Sequence, residues 1–85
     1  MKKTDRRAAI CGELVRLMAE ERKRRKCSKN KLAYLTGLNQ STVSRLENYL
    51  DNPTVDSLLR VAEALELNLG DVLKQAIQNV DKRNS

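Results

Sequence analysis

The apolar residues of the chain fall into blocks with helical spacing, separated by short polar stretches. Ile10, Leu14, Leu17 and Met18 lie at i, i+4, i+7 and i+8, one face of an amphipathic helix. With Thr4 available as its cap, this pattern predicts a first helix over about residues 5–25. The apolar signal stops after Ala19, and the run EERKRRK from Glu20 to Lys26 builds no core, so it is either the exposed basic end of that helix or a ragged connection. Ser28 is placed to cap a second helix, 29–36, with Leu32, Ala33 and Leu35 inward, and Gly37 stops it. Asn39 caps a third over 40–48. After the loop YLDNP, Thr54 caps a fourth over about 55–66, carrying Val55, Leu58, Leu59, Ala62 and Leu65, and Asn68 a fifth over about 69–79, carrying Leu69, Val72, Leu73, Ala76, Ile77 and Val80. No stretch alternates as a half-buried strand does. The expectation is an all-α fold, a compact bundle of about five helices forming one domain over residues 1–80, with a frayed tail at 81–85.

Composition agrees, because Tyr34 and Tyr49 are the only aromatics beside many Leu, Val and Ala. A chain of 85 residues buries only about 60% of its unfolded surface and leaves no room for a catalytic cleft of ordinary size. An enzyme is not expected: no nucleophile stands beside a base, no glycine-rich phosphate loop occurs, and without any His the pair Cys11 and Cys27 cannot complete a zinc site. No metal or cofactor is implied. The cysteines read as reduced thiols of a cytoplasmic protein, and no stretch has the ~18 uncharged apolar residues of a membrane span.

Charge changes the picture. Residues 1–31 hold 12 basic and 4 acidic side chains, whereas residues 32–85 hold 5 and 7. A cationic end of this kind suits nucleic acid, an acidic protein or an anionic membrane surface. The third helix narrows the choice. At about 100° per residue from Ser41, Val43 (about 200°) and Leu46 (about 140°) share one side, while Asn48 (about 340°), Ser44 (about 300°) and Arg45 (about 40°) flank Ser41 on the other. Gln40 stands at the first turn. Gln bonds adenine and Arg bonds guanine in bidentate fashion, and Ser adapts to either, so Gln40, Ser41, Ser44 and Arg45 are candidate readers of base edges in a major groove. Glu47, at about 240°, sits beside the apolar side and needs a cation. Lys29 and Lys31 fill the first turn of the second helix, where free N–H groups favour a phosphate.

Ala33, Gly37, Val43 and Leu46, at fixed spacing across two short helices, carry a resemblance. The span from about Leu14 to Leu73, including SKNKLAYLTGLNQSTVSRLEN and LLRVAEALELNLGDVL, resembles the lambda-repressor-like, Cro/phage-repressor (XRE) helix-turn-helix DNA-binding domains. The resemblance implies a homodimer on operator DNA with the third helix in the major groove, base readers at Gln40, Ser41, Ser44 and Arg45, and phosphate contacts at Lys29, Asn48, Asn52 and Thr54. It also implies Arg22 as the partner of Glu47. Lys29 stands where the family commonly has Gln, Glu21 where it has an apolar residue, and Lys26 and Tyr49 where it has glycine.

The leading expectation is a sequence-specific regulator on double-stranded DNA. The alternative is an antitoxin-like or adaptor protein whose main partner is another protein, such as a toxin. Nonspecific RNA or membrane-surface binding has less behind it: Phe and Trp are absent for base stacking, and the basic run has no matching apolar face for lipid.

Overall fold

The structure, a computed structural model, describes residues 3–84. Five helices make up the described chain: α1 (Lys3–Arg24), α2 (Lys29–Thr36), α3 (Gln40–Glu47), α4 (Val55–Ala64) and α5 (Leu69–Arg83). Helices α2 to α5 begin where the sequence supplies a side-chain oxygen. Ser28, Asn39, Thr54 and Asn68 accept the N–H of Lys31, Thr42, Ser57 and Asp71, at 3.0, 2.7, 3.0 and 3.0 Å, which satisfies one donor that each first turn leaves unpaired. The first helix begins at Lys3, so Thr4 lies within it and not before it.

The helix ends share a device that composition hides. Gly37 terminates α2 with φ 75°, but α1, α3 and α4 are ended by Lys26, Tyr49 and Glu66 at φ 55°, 51° and 55°. At each of these three the N–H bonds the carbonyl three residues back, and the following N–H bonds the carbonyl five back. This is the Schellman turn usually given to glycine. A side chain there costs about 1–2 kcal/mol. The basic run is therefore helical up to Arg24, and Tyr49 makes the bend after α3.

One core joins all five helices: Ile10, Leu14, Val15 and Met18 from α1, Leu32 and Ala33 from α2, Val43 and Leu46 from α3, Leu58, Val61 and Ala62 from α4 with Leu65 after it, and Ala76 and Val80 from α5. Three residues of α2 and α4 expected inward are exposed: Leu35, Val55 and Leu59. On α2 the buried arc runs from Leu32 through Thr36 to Ala33, and Leu35 lies about 60° outside it. Thr36 is buried instead, its hydroxyl donating to the carbonyls of Leu32 and Ala33. On α4 the arc runs from Val61 through Leu58 to Ala62; Leu59 falls about 60° beyond Ala62, and Val55 is at the solvated first turn. Leu73 on α5 is likewise exposed.

α1 packs chiefly along α5, and α5 runs to Arg83, beyond the end at 79 expected from periodicity. The buried carboxylate of Glu13 explains this. It accepts from Arg16 at 2.7 and 2.8 Å, from Asn79 Nδ2 at 2.7 Å and from Arg83 Nη2 at 2.7 Å. Arg6 adds a two-pronged pair to Asp81, at 2.9 and 3.0 Å. These contacts tie the two longest helices together, while the short α2–α3 pair packs on α4 and α1.

Candidate nucleic-acid interface

α3 is held at three points. Asn39 caps its start, Val43 and Leu46 are buried in the core, and Glu47 reaches back to α1. There Arg22 donates Nε–H to Glu47 Oε2 at 2.5 Å and Nη2–H to Oε1 at 3.0 Å, while its Nη1 bonds the Cys27 carbonyl at 2.8 Å. Both side chains are nearly buried, at 9% and 8% exposure. A fork of this kind fixes the roll of α3 about its axis. The turn between α2 and α3 is braced as well: Arg60 of α4 donates from Nη1 to the Thr36 carbonyl at 2.9 Å, and a Cβ added at Gly37 would lie 3.2 Å from that nitrogen.

With the roll fixed, Gln40, Ser41, Arg45 and Asn48 are exposed on the outer side of α3, and Ser44 is half-buried on the flank towards Glu47. Arg45 is engaged: Asp51, in the loop after α3, accepts its Nε–H at 2.7 Å. The other proposed contacts divide between two hollows. One, at the end of α1 and the start of α2, gathers Lys29 and Asn48 with Arg16 and Lys23. The second gathers Arg45, Asn52 and Thr54 with Thr42, Asp51 and Ser57. Lys31 lines neither and is exposed on the first turn of α2. Two of these side chains also have work inside the protein, since Asn52 Oδ1 accepts the Tyr49 hydroxyl at 3.1 Å and the Thr54 hydroxyl caps α4.

Internal ion pairs thin the basic run. Arg22 is taken by Glu47, while Arg24 and Arg25 share Glu21, which Arg24 above all, and then Arg25, hold down at a pKa of about 2. Among the described residues Lys23, Lys26, Lys29 and Lys31 face no carboxylate within ion-pair distance, so a group of unpaired cations stands where α1 ends and α2 begins, apart from Arg7 on α1 and Lys74 on α5, which are unpaired as well. Sequence reasoning missed Lys23. Its signal was present once α1 is known to continue through Arg22, because the residue following a pairing arginine on that turn is carried to the rim shared with Lys29. Among the described residues no group of three or more Cys, Asp or Glu could hold a metal ion, and no helix is long and apolar enough to cross a membrane.

A short α2, a glycine turn, and an α3 that is rooted by two apolar residues with amides, hydroxyls and a guanidinium on its outer side define a helix-turn-helix module. A family model described as Helix-turn-helix matches residues 18–72. The chain belongs to that family, the XRE-type helix-turn-helix proteins, which bind DNA and regulate transcription. A curated relative, an uncharacterized HTH-type transcriptional regulator of Rickettsia conorii, is 28% identical over 75 residues, covering 84% of this chain and 69% of its own length. No solved structure matches the chain.

Proposed function

We propose that the protein is a cytoplasmic, sequence-specific regulator that binds operator DNA as a homodimer, with α3 in the major groove. Gln40, Ser41, Ser44 and Arg45 read base edges, and Lys29, Lys31, Asn48, Asn52 and Thr54 contact the phosphate backbone on either side. The observation that carries this reading is the exposed outer side of α3, whose roll is fixed by Val43, Leu46 and the Arg22–Glu47 pair. Lys23 is added to the phosphate set because it shares a hollow with Lys29 and Asn48. Selection from random duplex DNA, followed by titration at several salt concentrations, tests it. Arg45→Ala is expected to cost about 1–3 kcal/mol at the selected site and to relax one base position, whereas Lys29→Ala weakens all duplexes alike and lowers the salt slope by about one. Identical behaviour of the two variants would refute the division of roles.

A second reading, a protein partner such as a toxin, has support of its own. Leu35 and Leu59 are exposed together in a hollow between α2 and α4, rimmed by Glu63, Glu66 and Asp56, with Arg60 paired to Asp56. An apolar patch with an acidic border suits a basic protein surface better than DNA. Co-purification of such a partner from the native host would favour this reading.

A further inference from the structure

We propose that Asp51 is a positioning residue for Arg45, holding its guanidinium so that the pair, and not Arg45 alone, selects guanine at one operator position. This rests on the reading that α3 enters the major groove.

The turn at Tyr49 folds the following loop back beside α3 and brings Asp51 to Arg45, six residues earlier in the chain. Asp51 Oδ2 accepts Nε–H at 2.7 Å and lies 2.6 Å from Nη2. A guanidinium has five N–H bonds in one plane, and a single carboxylate oxygen between Nε and Nη2 occupies its side edge. What remains is the end edge, formed by Nη1 and the outer hydrogen of Nη2. Two parallel donors of this kind match O6 and N7 of guanine. The two side chains are 52% and 64% exposed, so Arg45 is held in place without being withdrawn from the surface. An unheld arginine samples many rotamers and loses them only at the base, which blunts discrimination.

Asp51 also has a charge that DNA repels. Its sign opposes binding to every duplex equally, because it acts on the phosphates. Its hold on Arg45 acts only where the base fits. The result is lower general affinity and sharper choice. The second carboxylate oxygen, Oδ1, receives no hydrogen bond from the described residues, and it stands ready for the exocyclic amine of an adjacent cytosine or adenine.

The experiment uses the full chain. A pool of duplexes with a randomised centre yields the preferred site, and the position whose preference vanishes in Arg45→Ala is the one Arg45 reads. Four duplexes differing only there are then titrated with wild type, Asp51→Ala, Arg45→Ala and the double variant at one salt concentration. The expected result is guanine preference in the wild type, a loss of roughly 5–50-fold in that preference for Asp51→Ala, and tighter binding of that variant to unrelated duplex. In the Arg45→Ala background Asp51→Ala is expected to leave the preference at that position unchanged. If Asp51→Ala keeps or sharpens the guanine preference, or if the wild type prefers another base there, the proposal falls and groove reading stands. If the wild type selects no site at all, both fall.

Discussion

Removing the Glu47 carboxylate while keeping Arg22 leaves a guanidinium that is about nine-tenths buried with only the Cys27 carbonyl as partner. Deleting one member of a buried ion pair costs about 3–5 kcal/mol, most of it the desolvation of the charge left behind. Because Arg22 keeps the Cys27 contact and the pair borders a hollow, Glu47→Ala belongs at the lower end, about 3 kcal/mol. For a domain of this size 1 kcal/mol moves Tm by about 4–8 °C, so a drop of roughly 12–24 °C is expected, read by circular dichroism at 222 nm and checked by urea midpoints at constant slope. The double variant Arg22→Met/Glu47→Leu separates charge from packing. Apolar replacement of both partners is often neutral or stabilising, so it should recover to within about 1 kcal/mol of wild type. A Tm drop below about 3 °C for Glu47→Ala, or a double variant no more stable than the single, would refute the reasoning.

Three further outcomes are expected. The Glu13 carboxyl, ordinarily at 4.5, is held at about 2, chiefly by Arg16 and further by Arg83 and Asn79. Its folded pKa is depressed, so its stabilisation is complete above about pH 4.5 and is lost as pH falls towards 2. With both arginines about half exposed, the amount is roughly 1–2 kcal/mol, and Glu13→Gln should flatten the acid side of a urea-midpoint curve by that much. Lys26→Gly and Glu66→Gly should each stabilise by about 0.5–1 kcal/mol, since they relieve positive φ at exposed turns; a fall in Tm for both would contradict the turn geometry. Gly37→Ala should destabilise by about 1–2 kcal/mol, from its φ of 75° and the 3.2 Å approach to Arg60, and unchanged thermal melting would argue against both.

What could be read from the sequence follows the range over which each residue's chemistry acts. The caps at Ser28, Asn39, Thr54 and Asn68 were legible because a side-chain oxygen and an N–H three residues ahead need nothing beyond one turn of chain. Periodicity likewise located Val43 and Leu46, and it placed Glu47 where it needed a cation. Periodicity identifies an apolar arc without saying how wide a neighbour covers it. Leu35 and Leu59 belong to apolar arcs by spacing, yet they fall just beyond the helices that pack there. Glu13 was out of reach for a different reason: its partners Asn79 and Arg83 lie 66 and 70 residues away, and nothing local marks a carboxylate for burial. The hold of Asp51 on Arg45 depends on the turn at Tyr49; the resemblance hinted at that turn by the glycine common at the position, but it says nothing of where the loop then carries Asp51.

The clasp between α1 and α5 has a consequence for the order of events at the ribosome. Translation delivers α1 before α5, so the apolar stripe of Ile10, Leu14 and Met18 waits for its main cover until Arg83 has emerged to meet Glu13. A nascent chain stalled before that point carries every residue of α3 but has no settled platform beneath it. Fragments ending before α5 are therefore expected to be inert and quickly degraded, rather than competitors of the finished protein.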